Sequence, residues 1–304
     1  MTSRPALSAP RLGVIYMIFA ALGFTVMVAC VKVARADMEA SQVILWRALI
    51  TAPIAGAVAW RGGLALHNRR VFGLRVLLGF GAMFCVFTAA KGIAVADLSL
   101  IWRLQPIFVA GLAPLVLGAG ERLGPALYGA LAVGLVGCGI LLGPQVEIGG
   151  LQLQAGLWAL VGCVLGAGAH VCLRALGATD RAPAVVFWFQ VMVAVLALAL
   201  TVGSGLEVMP PSHAWWPLIG AGVAAAGGQL LMTQAYKLER AAVISAAGYM
   251  APVWAVLIDL FAFDRVLPWT AIIGGVLILV SSAWLIRVSA QSSTTQAGAR
   301  RAQA

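Results

Sequence analysis

The side chains best suited to chemistry lie on one face of a single apolar segment. Spacing at i, i+3, i+4 and i+7 places four of them on one side of a helix: Ser99, Trp102, Arg103 and Pro106. A guanidinium binds a carboxylate through paired hydrogen bonds, and an indole offers a flat surface for stacking. Because Arg47 lies at a similar depth in another apolar segment, the two arginines predict a site that holds the carboxylate of a solute or attracts an anion.

Both arginines also have a purely structural interpretation. Arg103 lies about six residues into its segment, roughly 9 Å from the outer edge, so its long side chain could reach the outer headgroups. Arg47 could clamp backbone carbonyls or pair with a neighbouring helix end. Exposing an arginine to lipid near a helix centre costs roughly 3 kcal/mol, so we expect each arginine either to bind solute or to take one of these structural roles.

Further candidate solute contacts lie in later segments. Tyr249 and Trp188 offer rings for stacking, Gln229 could supply hydrogen bonds, and His170 could titrate near neutral pH. The alternative for each is ordinary core packing. Asp259 is the clearest carboxylate inside an apolar segment, and we consider it a candidate for proton coupling, with exposure at the membrane interface as the alternative.

The sequence predicts no catalytic residues, metal site or cofactor. The three histidines, His67, His170 and His213, are scattered, and the five cysteines show no paired spacing. The glycine pairs lack both a preceding strand and a phosphate-loop lysine, so they indicate close helix packing rather than nucleotide binding.

Composition identifies the class of protein. The 304 residues are 62% hydrophobic and 10% charged, and the mean hydropathy is +1.00. Soluble domains carry far more charge, so we predict an all-α integral membrane protein in contact with membrane lipids. The net charge of +10 is spread over short loops and forms no continuous patch, which argues against nucleic acid as a partner.

Apolar runs of about 20 residues, the length that crosses a bilayer, predict ten transmembrane helices. Their approximate bounds are 12–33, 41–60, 73–95, 97–118, 124–143, 153–174, 182–203, 213–237, 240–263 and 267–286. Most of the 20 lysines and arginines fall on the side that carries the N-terminus. We therefore expect both termini in the cytoplasm.

The two halves of the chain align weakly with each other. The matched stretches are Val31–Arg47 with Leu173–Phe189 and Ala89–Pro106 with Ala235–Pro252. The second match aligns Pro106 with Pro252, and we expect both prolines to kink their helices. Five helices per half is an odd number, so the halves must be inverted across the membrane, an architecture that suits alternating access around a midplane site.

These motifs resemble the EamA family of the drug/metabolite transporter superfamily. The resemblance is carried by Trp46-Arg47 and by the ordered set Ala96, Ser99, Pro106 and Gly120-Glu121-Arg122-Leu123. The second half has Phe263-Asp264-Arg265-Val266 in place of the last motif. We expect a cytoplasmic N-terminal tail at 1–11, repeats of five helices at 12–143 and 153–287, and a disordered cytoplasmic tail at 288–304.

The resemblance implies a bacterial inner-membrane secondary transporter of small organic metabolites, often an exporter. From the arginines and aromatic residues we expect an amino acid or another carboxylated solute, with aromatic solutes included. The alternatives are an intramembrane enzyme, a channel, or an importer of a vitamin-like or nucleotide-like solute. We expect a monomer or a weak homodimer without a cofactor.

Overall fold

The computed structural model describes residues 9–60, 62–89, 101–122, 124–142, 153–263 and 269–302, and these residues form helices without any strand. The helices are α1 (Ala9–Ala34), α2 (Ala40–Trp60), α3 (Arg69–Ala89), α4 (Gln105–Leu117), α5 (Pro125–Leu142), α6 (Leu153–Leu176), α7 (Ala182–Gly203), α8 (Trp215–Leu238), α9 (Ala241–Ala247), α10 (Met250–Phe263) and α11 (Trp269–Ala302). Single 3₁₀ turns occupy Ala119–Glu121 and Ser212–Ala214. The chain is therefore an all-helical membrane protein.

Each of the ten predicted segments contains helix in the described residues. Six of the helical stretches are long and apolar enough to cross a membrane: Leu12–Val31, Ala40–Trp60, Ala155–Leu176, Ala182–Gly203, Ser212–Leu238 and Ala241–Ile258. Shorter apolar helices cover Gln105–Leu117, Pro125–Ile140 and Ile272–Leu285. The ten-span topology stays a prediction.

The C-terminal end differs from the sequence prediction. The expected disordered tail at 288–304 is helical as far as Ala302, because α11 continues beyond the apolar segment. Alanine, glutamine and arginine are frequent in this stretch and have high intrinsic helix propensity, which lets a helix that has already formed continue through it.

Two helices are interrupted at positions that the internal repeat aligns. Arg103 and Leu104 form a turn before α4, and Gly248 and Tyr249 form a turn between α9 and α10. Backbone bonds of the tighter i to i−3 type replace helical ones here, from Leu104 N to Ile101 O at 3.0 Å and from Tyr249 N to Ala246 O at 3.0 Å. Each turn lies within one helical turn of a proline.

The prolines explain these positions. A proline cannot donate a hydrogen bond to the carbonyl four residues earlier, and its ring also crowds that carbonyl. For Pro106 that carbonyl belongs to Trp102, and for Pro252 it belongs to Gly248. The two breaks therefore follow from local sequence and leave backbone carbonyls in the interior that need other donors.

Helix packing has the pattern that a two-fold relation between the halves requires. The main pairs are α1 with α8, α3 with α6, α2 with α7 and α5 with α11. In the repeat, α1, α2, α3 and α5 correspond to α6, α7, α8 and α11. Exchanging corresponding helices converts the α1–α8 pair into the α6–α3 pair and converts each of the other two pairs into itself. The largest buried cluster accordingly mixes both halves, with Leu45 and Val109 packed in one core with Ile244.

Hydrogen bonds between connections distinguish two ends of the bundle. Glu121, after α4, accepts from Ala241 N at the start of α9, and Asp180, after α6, accepts from His67 N before α3. We call this the Glu121 end. At the opposite end, Trp46 Nε1 in α2 donates to Val208 O in the connection between α7 and α8 at 2.8 Å, and we call this the Val208 end.

Candidate functional site

Arg103 spans the interface between the two halves. Its Nη1 donates to Gly248 O at 3.0 Å, the carbonyl that Pro252 leaves without its helical donor. Ala251 N bonds the same oxygen at 3.1 Å. The half-buried side chain therefore reaches into the bundle instead of extending to headgroups, and it stabilises the broken helix of the other half.

Arg47 lies in α2 with only 5% of its surface exposed. Its Nη1 lies 3.5 Å from the Met27 sulfur, and its Nη2 lies 3.4 Å from the Met83 sulfur. Thioether sulfur is a weak acceptor, so these contacts replace little of the hydration that the guanidinium loses. Within the described residues, no carboxylate pairs with Arg47 and no backbone carbonyl is clamped by it.

The aromatic candidates take different places. Trp102 is half-buried and packs with Gln105 against Gly166 of α6, where a Cβ would touch both side chains. Tyr249 is fully buried, and its ring lies against Gly134 of α5 beside the hydroxyl of Ser281 in α11. The Tyr249 hydroxyl has no hydrogen-bond partner among the described atoms.

Trp188 lies at the Glu121 end. Its Nε1 donates to Leu64 O at 2.8 Å, in the connection between α2 and α3. Gln229 is buried in α8, next to Gly228, which packs closely on Phe24 of α1. Ser99 lies outside the described residues, and Asp259 lies in α10 with its side chain outside them.

Sequence reasoning missed Arg75 as a buried residue, because it grouped this residue with the basic helix ends on the cytoplasmic side. Arg75 lies in the second turn of α3 and is 4% exposed. Its guanidinium carbon lies 4.0 Å from the centre of the Phe189 ring. A Cβ on Gly79, one turn further on, would overlap Arg75 Nη1, so the side chain lies along α3 over this glycine.

His170 and Tyr236 lie beside Arg75. Their rings are 4.9 Å apart, and the charge of Arg75 acts on both. The Tyr236 hydroxyl faces that of Ser245, but neither oxygen forms a well-aligned hydrogen bond. We call Arg75, His170, Tyr236 and Ser245 the Arg75 cluster.

Each of the four residues of this cluster carries a buried polar atom without a partner among the described residues, and Gln190 and Thr233 carry others in α7 and α8. Several buried donors and acceptors lack hydrogen-bond partners in the part of the chain that the structure describes: Arg75 Nε, His170 Nδ1, Gln190 Oε1 and Nε2, Thr233 Oγ1, Tyr236 OH and Ser245 Oγ. They come from α3, α6, α7, α8 and α9, and therefore from both halves. Buried polar groups are normally satisfied, so such a set of atoms indicates a place where a solute or water binds.

An ion pair between Arg174 and Glu121 lies between this cluster and the Glu121 end of the bundle. Arg174 Nε lies 2.7 Å from Glu121 Oε1, while Arg174 Nη1 donates to Tyr236 O at 3.3 Å and to Lys237 O at 3.1 Å. Glu121 Oε2 also accepts from Ala241 N at 2.8 Å. These bonds tie the first half to α6, α8 and α9.

Comparison with known proteins gives one family and consistent relatives. The profile of the EamA-like transporter family matches residues 11–143 and 153–287. Two proteins named pseudopaline exporter CntI are similar over 90% of this chain and 96% of their own length. The protein from Pseudomonas aeruginosa strain UCBPP-PA14 is 30% identical and that from strain PAO1 is 29% identical, each over 287 residues.

A solved crystal structure shares the fold. It superimposes with a TM-score of 0.80, covering 92% of this chain and 98% of the other, at 19% sequence identity. At that identity the likeness concerns the arrangement of helices alone.

Proposed function

Because the chain belongs to the EamA-like transporter family, we propose that it exports a small carboxylated metabolite from the cytoplasm by alternating access. The protein is a multi-pass transporter of the inner membrane rather than an enzyme. Its similarity to proteins named as exporters supports the outward direction. The two halves would rock about the interface where Arg103 meets Gly248, exposing the interior first to one side and then to the other.

We propose ten spans with the Glu121 end in the cytoplasm. Basic residues are concentrated at this end of the described helices: Arg69, Arg70, Arg122, Arg174, Arg181, Lys237 and Arg240. Such a bias marks the cytoplasmic side of inner-membrane proteins. The Val208 end would then face outward.

The observation that carries the solute class is the environment of Arg47. Its buried guanidinium contacts two thioethers and pairs with no carboxylate among the described residues. Burying a cation without an anion is costly, and a solute carboxylate would remove much of that cost when it binds. A carboxylated solute therefore fits this interior better than a neutral or cationic one.

The test is counterflow in proteoliposomes. Labelled pseudopaline, a set of amino acids and the corresponding amino-acid amides would be offered to liposomes preloaded with the unlabelled compound. We expect carboxylated solutes to move and their amides to move at least about tenfold less, since a hydrogen-bonded charge contributes roughly 1.5–3 kcal/mol. Arg47→Gln should reduce the flux similarly, whereas Arg122→Gln, at an exposed arginine, should not. Equal flux of acids and amides would contradict the solute class.

Asp259 remains our candidate for proton coupling. Counterflow with and without a pH gradient, in the wild type and in Asp259→Asn, measures this directly. We expect the gradient to drive net flux of the wild type only. Net flux that ignores the gradient in both proteins would leave facilitated diffusion as the mechanism. We also propose a monomer or weak homodimer, which mass measurement in nanodiscs would test.

A further inference from the structure

We propose that the Arg75 cluster is a carboxylate subsite on the cytoplasmic side of the transport path, where an exported solute first binds. This inference rests on the proposed export function and adds a second, separate guanidinium to it. Arg75 and Met83 are eight residues apart in α3, about 12 Å along the helix, and Met83 is the contact of Arg47. The two arginines therefore lie at two levels of the same interior.

The first argument is the state of Arg75 itself. It is buried, its cation lies on the face of Phe189, and no carboxylate of the described residues pairs with it. A cation–π contact offsets only part of the lost hydration of a guanidinium. An anion placed beside it would complete the site.

The second argument is the chemistry of the surrounding atoms. Tyr236 is 0% exposed, Ser245 is 5% exposed, and both present hydroxyls without hydrogen-bond partners in the described structure. Two hydroxyls and a guanidinium supply several donors, and two carboxylate oxygens can accept from all of them. With no carboxylate in the set, an ammonium group would meet the repulsion of Arg75, so the site favours an anion.

The third argument is position. Arg174, which forms the ion pair with Glu121, lies one turn after His170 in α6 and bonds the backbone carbonyl of Tyr236. Separating Arg174 from Glu121 would therefore uncover the cluster from the Glu121 end. Gly166 lies one turn before His170, and there the buried Gln105 of α4 carries an unpartnered Nε2. Gln105 is therefore a further unpartnered polar side chain between the cluster and the turn at Arg103.

The experiment uses purified full-length protein and a matched pair of probes, indole-3-acetate and indole-3-acetamide, at millimolar concentration. Thermal unfolding in detergent reports binding. We expect the acid to raise the unfolding temperature and the amide to have little effect. Arg75→Gln should abolish the shift, Arg75→Lys should retain part of it, and Tyr236→Phe should weaken acid binding by about tenfold.

Two controls make the result specific. Tyr236→Phe removes a hydroxyl that has no partner, so the variant should fold with wild-type stability and its binding defect can be measured. Tyr128→Phe makes the same change at an exposed tyrosine and should leave binding unchanged. Equal shifts with acid and amide, no shift with either, or full binding in both Arg75→Gln and Tyr236→Phe would overturn the subsite.

Failure of the subsite and failure of the export function are distinguishable by flux. If proteoliposomes export carboxylated solutes at the same rate in the wild type and Arg75→Gln, the export function stands and the subsite is wrong. If the wild type moves no solute at all, the export function is wrong, and binding of indole-3-acetate would then describe a site without transport.

Discussion

Arg103 and Arg75 both lie in predicted membrane-spanning segments, but they differ in the groups that their guanidiniums contact. Arg103 donates to Gly248 O, a carbonyl freed by a proline of the other half. Arg75 lies on Phe189 among polar atoms that lack partners in the described structure. Arg103 therefore has a backbone partner in the other half, whereas Arg75 has the environment expected of a binding residue.

The difference has a simple physical origin. A broken helix exposes carbonyls, and an adjacent guanidinium gains hydrogen bonds by satisfying them. Arg103 is fixed by that requirement. No helix break lies beside Arg75, because α3 is continuous from Arg69 to Ala89, so no freed carbonyl of α3 accounts for a cation there.

We expect the largest loss of stability when the interaction at the helix turn is removed. Arg103→Gln removes the donor to Gly248 O and should lower the free energy of unfolding by about 2–3 kcal/mol, because a charge-assisted hydrogen bond at a buried carbonyl is lost. Thermal unfolding in detergent measures this. A variant as stable as the wild type would show that Arg103 does not stabilise the fold.

Asp180 extends the comparison to a buried carboxylate whose partners are present. It accepts from His67 N at 2.6 Å, from Asn68 N at 3.3 Å and from the Thr179 hydroxyl at 2.6 Å. Burial by itself raises the pKa of Asp180, but these hydrogen bonds outweigh burial and hold that pKa below its ordinary value. Asp180→Asn should therefore cost about 2 kcal/mol at neutral pH.

The pH dependence of that cost follows from the direction of the shift. A lowered folded-state pKa stabilises the protein above the unfolded pKa of about 3.9 and ceases to do so as the pH falls through the folded value. The gap in unfolding temperature between the wild type and Asp180→Asn should shrink as the pH falls below about 4. A gap that stays constant or grows between about pH 4 and pH 2 would contradict the assignment.

A smaller effect sharpens the role of Pro252. In Pro252→Ala, residue 252 regains an N–H that can bond Gly248 O, so this carbonyl depends less on Arg103. The cost of Arg103→Gln should be about 1 kcal/mol smaller in the Pro252→Ala background than in the wild type. A double-mutant cycle in unfolding temperature measures the coupling, and strict additivity would separate the two residues.

The smallest effect on stability belongs to Arg75. Arg75→Gln removes a buried cation with no anionic partner among the described residues, so we expect a change within about 1 kcal/mol, in either direction. The same unfolding assay without solute measures it. A loss as large as that of Arg103→Gln would mean that Arg75 stabilises the fold and would remove the contrast between the two arginines.

Particular residues show how far sequence reasoning reached. Apolar length predicted segments that each contain helix among the described residues, and six helical stretches are long and apolar enough to cross a membrane. The aligned prolines lie within one helical turn of the two turns in the chain. Tyr249 and Pro252 are three residues apart, so they would share one face of an unbroken helix. The turn at Gly248 and Tyr249 shifts the helical phase, and the Tyr249 ring lies between α5 and α11.

Arg75 shows the opposite limit. By sequence it stands near the start of α3, where basic residues usually lie in the cytoplasmic headgroups. Its burial depends on the rotation of α3 about its axis and on its close packing with α6. Residues from distant parts of the chain contribute to its surroundings, and Phe189 of α7 lies against the guanidinium.

The membrane class, the apolar segments, the internal repeat and the family could be read from the sequence, because each depends on apolar length, residue spacing or motif order. The surroundings of each arginine required the folded structure, in which Arg103 meets a backbone carbonyl and Arg75 meets an aromatic ring, with no carboxylate of the described residues beside it. The side chain of arginine is long and flexible, so the group that its guanidinium contacts depends on neighbouring helices that are remote in sequence. In the motif of Ser99, Trp102, Arg103 and Pro106, the arginine donates to a backbone carbonyl of the other half, and the proposed subsite lies at Arg75.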